Sequence, residues 1–308
     1  MSHWWPPVLA GAASLLMFFG PWFIPVAGSL MSIWTPVPIL TLYRRRGRSA
    51  GRLALGLAVA GALGLGAAYA ASTGGLYFLY YAAVALVLGE ASGLGWSDPM
   101  AVTVAGLAAS GLVGGLLLGG TLVTGQDLTQ AWDSQWQAEL QALLGSYQRL
   151  GLGAEQAEHA QRSLTEISRW LLRLTSGLLT AGSLLLAWAN LVLARSTSPA
   201  SVEPAAGQAS LSLFKLPEQL IWGLILAGLV IWLCEGWLYW GALNVLIVLG
   251  VAYFFQGLAV LVYWLEKKNT PRLLRLGVYA LLTVEAFLAI LVALVGLFDI
   301  WFNSRQRE

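Results

Sequence analysis

Carboxyl and amide side chains interrupt the most apolar stretches of this sequence: Glu90, Asn190, Glu235, Asn244, Gln256, Glu285 and Asp299. In an apolar setting such groups can tie helices together through hydrogen bonds. They can also line a site for a proton, a cation or a small polar solute. A charged side chain at the centre of a bilayer costs about 2.5–3.5 kcal/mol on the insertion scale, so Glu235 and Glu285 are expected to turn inward, away from lipid. Gln256 is followed at once by Gly257, whose missing side chain would let a second helix come near enough to partner the amide. Counted from the turn near Lys268, Gln256 lies about 12 positions before and Glu285 about 17 after, within one to two helical turns in depth at ~1.5 Å per residue. Asn244 and Asp299 form a second level by the same count, and the two-heptad spacing of Glu285 and Asp299 puts them on one helix face. The candidate ligand set is therefore Glu235, Asn244, Gln256 and Glu285. Hydrogen bonding between helices is the plainer reading of the same residues.

Other chemistry finds little support. The chain has two histidines, His3 and His159, and one cysteine, Cys234, which gives no ligand cluster for a metal and no intrachain disulfide framework. It contains no G-x-S-x-G elbow and no Walker loop, and its glycine pairs fall in apolar stretches where a phosphate cradle would be unsatisfied. No enzymatic activity, cofactor or metal centre is expected. A net charge of +2 gives no basis for binding nucleic acid. The first basic residue is Arg44, so the start lacks the charged region of a cleaved secretion signal.

The elements that must position these residues are transmembrane helices. Hydrophobic residues make up 58% of the 308 and charged residues 10%, where a soluble domain carries roughly 25% charge. Apolar stretches fall at 7–20, 22–42, 52–71, 74–93, 99–123, 169–194, 218–240, 243–265 and 273–300. Most are long enough to cross a hydrocarbon layer ~30 Å thick, and backbone groups within lipid must be satisfied inside the segment. The prediction is an all-α integral membrane protein, a single polytopic domain over 1–308 with about 8–9 crossings. Pro21, Pro25, Pro36 and Pro38 interrupt the first two segments, which could form one broken element.

Positive charge sets the expected orientation. Arg44, Arg45, Arg46, Arg48 and Arg52 crowd the loop 43–52, and Lys267, Lys268, Arg272 and Arg275 crowd 266–275. Short basic loops stay cytoplasmic, and counting crossings keeps both on one side. Residues 90–98 should lie on that side too, yet carry no basic residue, and Arg305 and Arg307 sit in a tail expected on the other. Trp22, Trp96, Trp170, Trp222, Trp237, Trp240, Trp264 and Trp301 fall near segment ends, as an interfacial aromatic belt would.

Two stretches lie outside this pattern. Residues 124–168 read as an extracytoplasmic helical insert, an amphipathic hairpin capped at Asp127, turned at 150–153, with a second helix from Ala154 to Glu166 that runs on into the next span, and lying on or folding over the membrane surface. Residues 195–215 are rich in Ser, Pro and Ala and read as a flexible cytoplasmic loop. Small residues also form stripes: Gly56, Ala60, Gly64 and Ala68 in one segment, and Gly106, Ser110 and Gly114 beside Gly111, Gly115 and Gly119 in another. Such stripes permit close helix approach, either within the chain or with another membrane subunit.

The segments FKLPEQLIW (214–222), YFFQGLAVLVYWLEKK (253–268) and GLFDIWFNSR (296–305), with Asn244 between the first two, occur in an order that resembles the YybS-like family of bacterial integral membrane proteins. PVPILTLYRRRGRSAG (36–51) is similar to that family's second helix and basic turn. The specific part of the resemblance is Gln256-Gly257 with Asp299, Phe302 and Arg305. Asn303 stands where the family often has an aspartate. Relatives of this kind are similar in helix pattern to the substrate-binding subunits of energy-coupling-factor importers, which capture a solute from outside and dock on an energising partner. What that resemblance implies is a solute-binding subunit of the bacterial cytoplasmic membrane. Its partners would be the bilayer and an energising membrane subunit with ATPases. The alternative expectation is a non-transporting scaffold or envelope-biogenesis component that contacts another envelope protein.

Overall fold

The computed structural model describes residues 4–68, 72–125, 127–149, 154–197 and 214–302. Among them there is no strand. In chain order the helices are α1 (Trp5–Phe23), α2 (Pro25–Ser32), α3 (Val37–Arg46), α4 (Arg48–Ala68), α5 (Ser72–Leu94), α6 (Asp98–Thr124), α7 (Leu128–Arg149), α8 (Ala154–Ser196), α9 (Leu220–Leu233), α10 (Trp237–Lys267), α11 (Arg272–Val284) and α12 (Ala286–Phe302). Seven stretches are long and apolar enough to cross a membrane, and Leu220–Leu233 and Phe287–Phe302 are shorter apolar helices. The all-α membrane architecture thus holds. The turn at 150–153, most of the loop 195–215, and Asn303 and Arg305 lie outside the described residues.

The N-terminal segments are two antiparallel elements and not one kinked crossing. The chain reverses at Ile24, where Gly28 packs backbone to backbone on Gly20, and the Ser14 hydroxyl donates to the Thr35 carbonyl at 2.7 Å. Gly47, at φ +84°, ends α3 directly after Arg44–Arg46, a conformation that glycine adopts without strain. Gly125 closes α6 in the left-handed region in the same way.

The core is built from small residues. Ala54, Ala58 and Ala62 of α4 are fully buried against Phe78, Ala82 and Ala85 of α5. Ala101, Ala105 and Ala109 of α6 pack with Ala187, Leu191 and Ala194 of α8. Without a hydrophobic driving force between helices in lipid, close van der Waals fit of this sort has to hold the bundle together.

Contacts between elements orient the helices. Arg195 of α8 pairs with Asp98 of α6, and Arg48 with Glu90 of α5, so 43–52, 90–98 and 195–197 share one end, here the basic end. α10 runs parallel to α8: Trp170 meets Trp240 edge to face at 5.0 Å, and Trp188 meets Phe255 at 5.5 Å. Lys267 therefore lies at the basic end as well, with the start of α8 at the other.

One element runs as expected and another needs correction. α8 is a single helix of 43 residues, about 64 Å long and more than twice the ~30 Å of a hydrocarbon layer. Its first turns run on past that layer. α7 packs along them, with Trp132 Nε1 donating to Ser168 Oγ at 2.9 Å. The second helix of the insert thus runs on without a break into the following apolar span. The last crossing, by contrast, is broken. Glu285 is extended (φ −103°, ψ 100°) between α11 and α12, and its carbonyl accepts the Leu288 N–H at 3.1 Å. α11 carries arginines among leucines, the composition of an interfacial helix, so continuous crossing is not its best arrangement.

Candidate functional site

Gln256 is completely buried, at 0% exposure. Its neighbour Gly257 meets Gly296 of α12 with nothing between the backbones. A Cβ on Gly257 would overlap the Val292 carbonyl, and one on Gly296 would overlap the Tyr253 carbonyl. This approach brings Asp299, 4% exposed, within 3.4 Å of the Gln256 Nε2 donor. On its other side the Gln256 Oε1 accepts the Leu216 N–H at 3.2 Å. Residues 214–217 are unwound ahead of the short helix α9. An unwound peptide at this depth needs a partner from the protein, since lipid offers none. Gln256 supplies it and hands its own donor to Asp299. Three of the quoted stretches, FKLPEQ, QGL and GLFD, thus converge on one junction.

Asn244 lies elsewhere. Its Oδ1 accepts the Gly177 N–H at 2.6 Å and the Ser176 hydroxyl at 3.0 Å, and its Nδ2 donates to the carbonyls of Arg173 (2.8 Å) and Trp240 (2.7 Å). Arg173 and Gly177 are the two ends of one helical hydrogen-bond step, so the amide is spliced into the ladder of α8. Gly177 has no room for a Cβ beside the Asn244 backbone. Arg173 in turn lies 4.7 Å over the Trp240 ring.

Glu235 and Glu285 join neither group. Glu235 sits in the break before α10 and is exposed; about 28 Å of helix separates that break from Gln256. Glu285 is exposed at the α11–α12 break, about 20 Å along α12 from Asp299. The shared depth predicted for Gln256 and Glu285 fails because the break stops α11 and α12 from forming one crossing. The four candidate ligands do not form one pocket. The residues brought together are Gln256, Asp299 and the 214–217 backbone, and Asn190 makes a similar tie, its Nδ2 donating to the Ile33 carbonyl at 3.0 Å.

A charged cluster at the basic end is absent from the sequence-derived site. The Glu90 carboxylate accepts from Arg52 through both oxygens (2.7 and 2.6 Å) and from the Tyr43 hydroxyl at 3.3 Å, and it pairs with Arg48 at 3.3 Å, whose Nη2 donates to the Glu90 carbonyl at 2.9 Å. Asp98 takes Arg195. The available signal was the 90–98 stretch, which holds two acids and no base yet faces an arginine-rich loop. Glu90→Gln is expected to lower the melting temperature by an amount that shrinks in high salt, because Arg52 is 59% exposed and its pair is screened. An effect independent of salt would show that the cluster is not held by charge.

At the far end, Asp127 precedes α7, accepts the Thr129 hydroxyl at 2.6 Å, and is held below the usual aspartate range by that bond and the Thr129 amide. This cap therefore favours α7 above that depressed value and is lost as pH falls through it.

The glycine stripes face away from the bundle. No described residue lies within 4 Å of where a Cβ would stand on Gly56, Gly64, Gly111, Gly115 or Gly119, and Ala60 is exposed. Gly106 alone of the second stripe's glycines is packed, against Leu184.

A family model described as "Predicted membrane protein (DUF2232)" matches residues 12–300. No curated protein and no solved structure matches the chain.

Proposed function

The chain belongs to the DUF2232 family of predicted membrane proteins, and we propose that it is a docking component of a membrane assembly, a scaffold and not a solute path. The observation that carries this reading is the outward stripe Gly111, Gly115, Gly119 on α6, which no described residue of the chain fills. Small residues at four-residue spacing let a second helix approach to backbone distance, where packing favours association in lipid. Gly56, Ala60 and Gly64 of α4 offer a second such face. The buried polar side chains support the same reading, because Gln256, Asn190 and Asn244 are engaged in ties between helices. In this proposal the basic loops 43–52 and 266–275 face the cytoplasm of a bacterial cell and the α7–α8 hairpin faces outward. The partner is a transmembrane helix of another envelope protein. If the likeness to importer subunits holds, it is the energising subunit. No catalytic step is involved.

The test is site-directed crosslinking in the native membrane. With Cys234 first replaced by alanine, Gly115→Cys should form a thiol-specific adduct with a second membrane chain, and Gly111→Leu with Gly119→Leu should abolish it while leaving the melting temperature unchanged. A Gly115→Cys chain that stays uncrosslinked would sink the proposal.

A second reading, capture of a polar solute, is favoured by one observation. A cleft of about 410 Å³ lies between α7 and α8, lined by Asp133, Gln137, Gln141, Gln161, Thr165 and Arg169. Under it, a vitamin or metal panel should contain a compound that raises the melting temperature of the wild type and not of Arg169→Ala. No shift across the panel would remove this reading.

A further inference from the structure

A groove of about 1140 Å³ runs along the side of the bundle between α8, α10 and α12, with Trp34, Leu224 and residues of α11 completing its wall. Every lining side chain is apolar or aromatic. Gly250, Ala189 and Ala293 form a shallow floor, and Leu185, Val192, Ile290 and Leu294 stand exposed along it. Along α10 it extends from Leu246 to Val262, about 24 Å of the ~30 Å hydrocarbon thickness. It is a slot of acyl-chain length lying parallel to the chains of a bilayer.

One end of the slot is charged. Val262 precedes Lys267 by about 8 Å of helix, and Lys267 and Lys268 are exposed there. Tyr279 and Leu282 of α11 line the groove, and Arg275, one turn before Tyr279, is fixed by its Nε donating to the Thr270 carbonyl at 2.9 Å. Lys267 Nζ lies 5.4 Å over the Trp264 ring. The acids on these elements are Glu266, which with Arg275 acts on the Tyr279 phenol, and Glu285, exposed at the α11–α12 break. Lys267, Lys268 and Arg275 outnumber these two carboxylates, which leaves this end net positive.

We propose that the groove is a binding site for an anionic phospholipid, with acyl chains in the slot and the headgroup phosphate at Lys267, Lys268 and Arg275. Neither feature alone would select a lipid. An apolar slot accepts any chain, and a basic rim attracts any anion. Their continuity at headgroup depth selects a molecule with both parts. Cations at a membrane surface contribute about 1 kcal/mol each toward an anionic lipid, or roughly a fivefold preference per charge. The inference does not depend on the glycine stripes of α4 and α6.

The test is native mass spectrometry of the full chain released from nanodiscs of equal phosphatidylglycerol and phosphatidylcholine. The wild type should retain phosphatidylglycerol preferentially. Changing Lys267, Lys268 and Arg275 to glutamine should cut that preference about fivefold per charge. Gly250→Leu, at a position with nothing within 4 Å, should reduce retention of both lipids by filling the slot. Raising salt should weaken the preference of the unmodified protein, which needs no variant to fold. Soluble glycerol phosphate should not compete, which separates a lipid from a free phosphate. Equal retention of the two lipids, a preference indifferent to the three cations and to salt, unchanged retention in Gly250→Leu, or displacement by glycerol phosphate would each overturn the proposal.

Discussion

Gly257→Leu is expected to abolish the folded state, both in membranes and in mild detergent. At this crossing even a methyl group overlaps the Val292 carbonyl, so α12 must leave α10 to admit it. Overpacking in a well-packed core typically costs 1–3 kcal/mol when a side chain can move aside. Here the obstacle is backbone, and the cost should exceed about 3 kcal/mol, a large share of a marginal total stability. Separation would also pull Asp299 from Gln256, coupling two losses that are independent elsewhere. Thermal unfolding of purified protein checks the ordering, with Gly257→Ala intermediate and Gly241→Ala as a control. Gly241 has nothing within 4 Å, and alanine in a helix interior is favoured over glycine by about 1 kcal/mol. A Gly257→Leu protein that melts like the wild type would mean that α10 and α12 do not cross at this point.

Gln256→Leu should be the next most damaging change. It keeps the volume and removes both hydrogen-bonding groups, leaving the part-buried Leu216 N–H without its acceptor and Asp299 without its Gln256 donor. Interhelical hydrogen bonds in membranes average only ~0.6 kcal/mol, because the separated helices find other partners. A stranded backbone donor is different: it bears the desolvation penalty of about 1–3 kcal/mol. We expect a loss of about 2 kcal/mol or more, with Gln256→Glu also destabilised by two carboxyls in contact. Hydrogen exchange at Leu216 provides a local readout. Protection there should fall in Gln256→Leu while the α4–α5 core stays unchanged. Unaltered protection at Leu216 would show that Gln256 is not its partner.

These expectations bear on the choice between scaffold and solute path. A solute site built from Gln256 would tolerate loss of the amide in stability and fail in binding. A structural junction fails in stability first. The Asn244 splice into α8 and the Asn190 tie to the Ile33 carbonyl follow the same logic, since each serves peptide groups that irregular or crowded helices cannot satisfy alone.

Composition alone determined the class of molecule. With 10% charged residues, the chain has too little polar surface for water, and its apolar runs match the thickness of a bilayer. Gln256 beside Gly257 also announced a close helix crossing, because an amide in lipid requires a partner and a glycine permits one to arrive. What sequence could not decide was which residues meet. Depth counted along the chain assumed that 273–300 is one straight helix, and the break at Glu285 shifts the register of everything after it. Glycine spacing likewise says that a face is smooth, not which way it points. Ala54, Ala58 and Ala62 turned out to pack inward while Gly56, Ala60 and Gly64 turned outward. On a helix of 3.6 residues per turn, two interleaved small-residue stripes are equivalent until neighbouring helices choose between them. That choice belongs to the three-dimensional packing of the whole bundle.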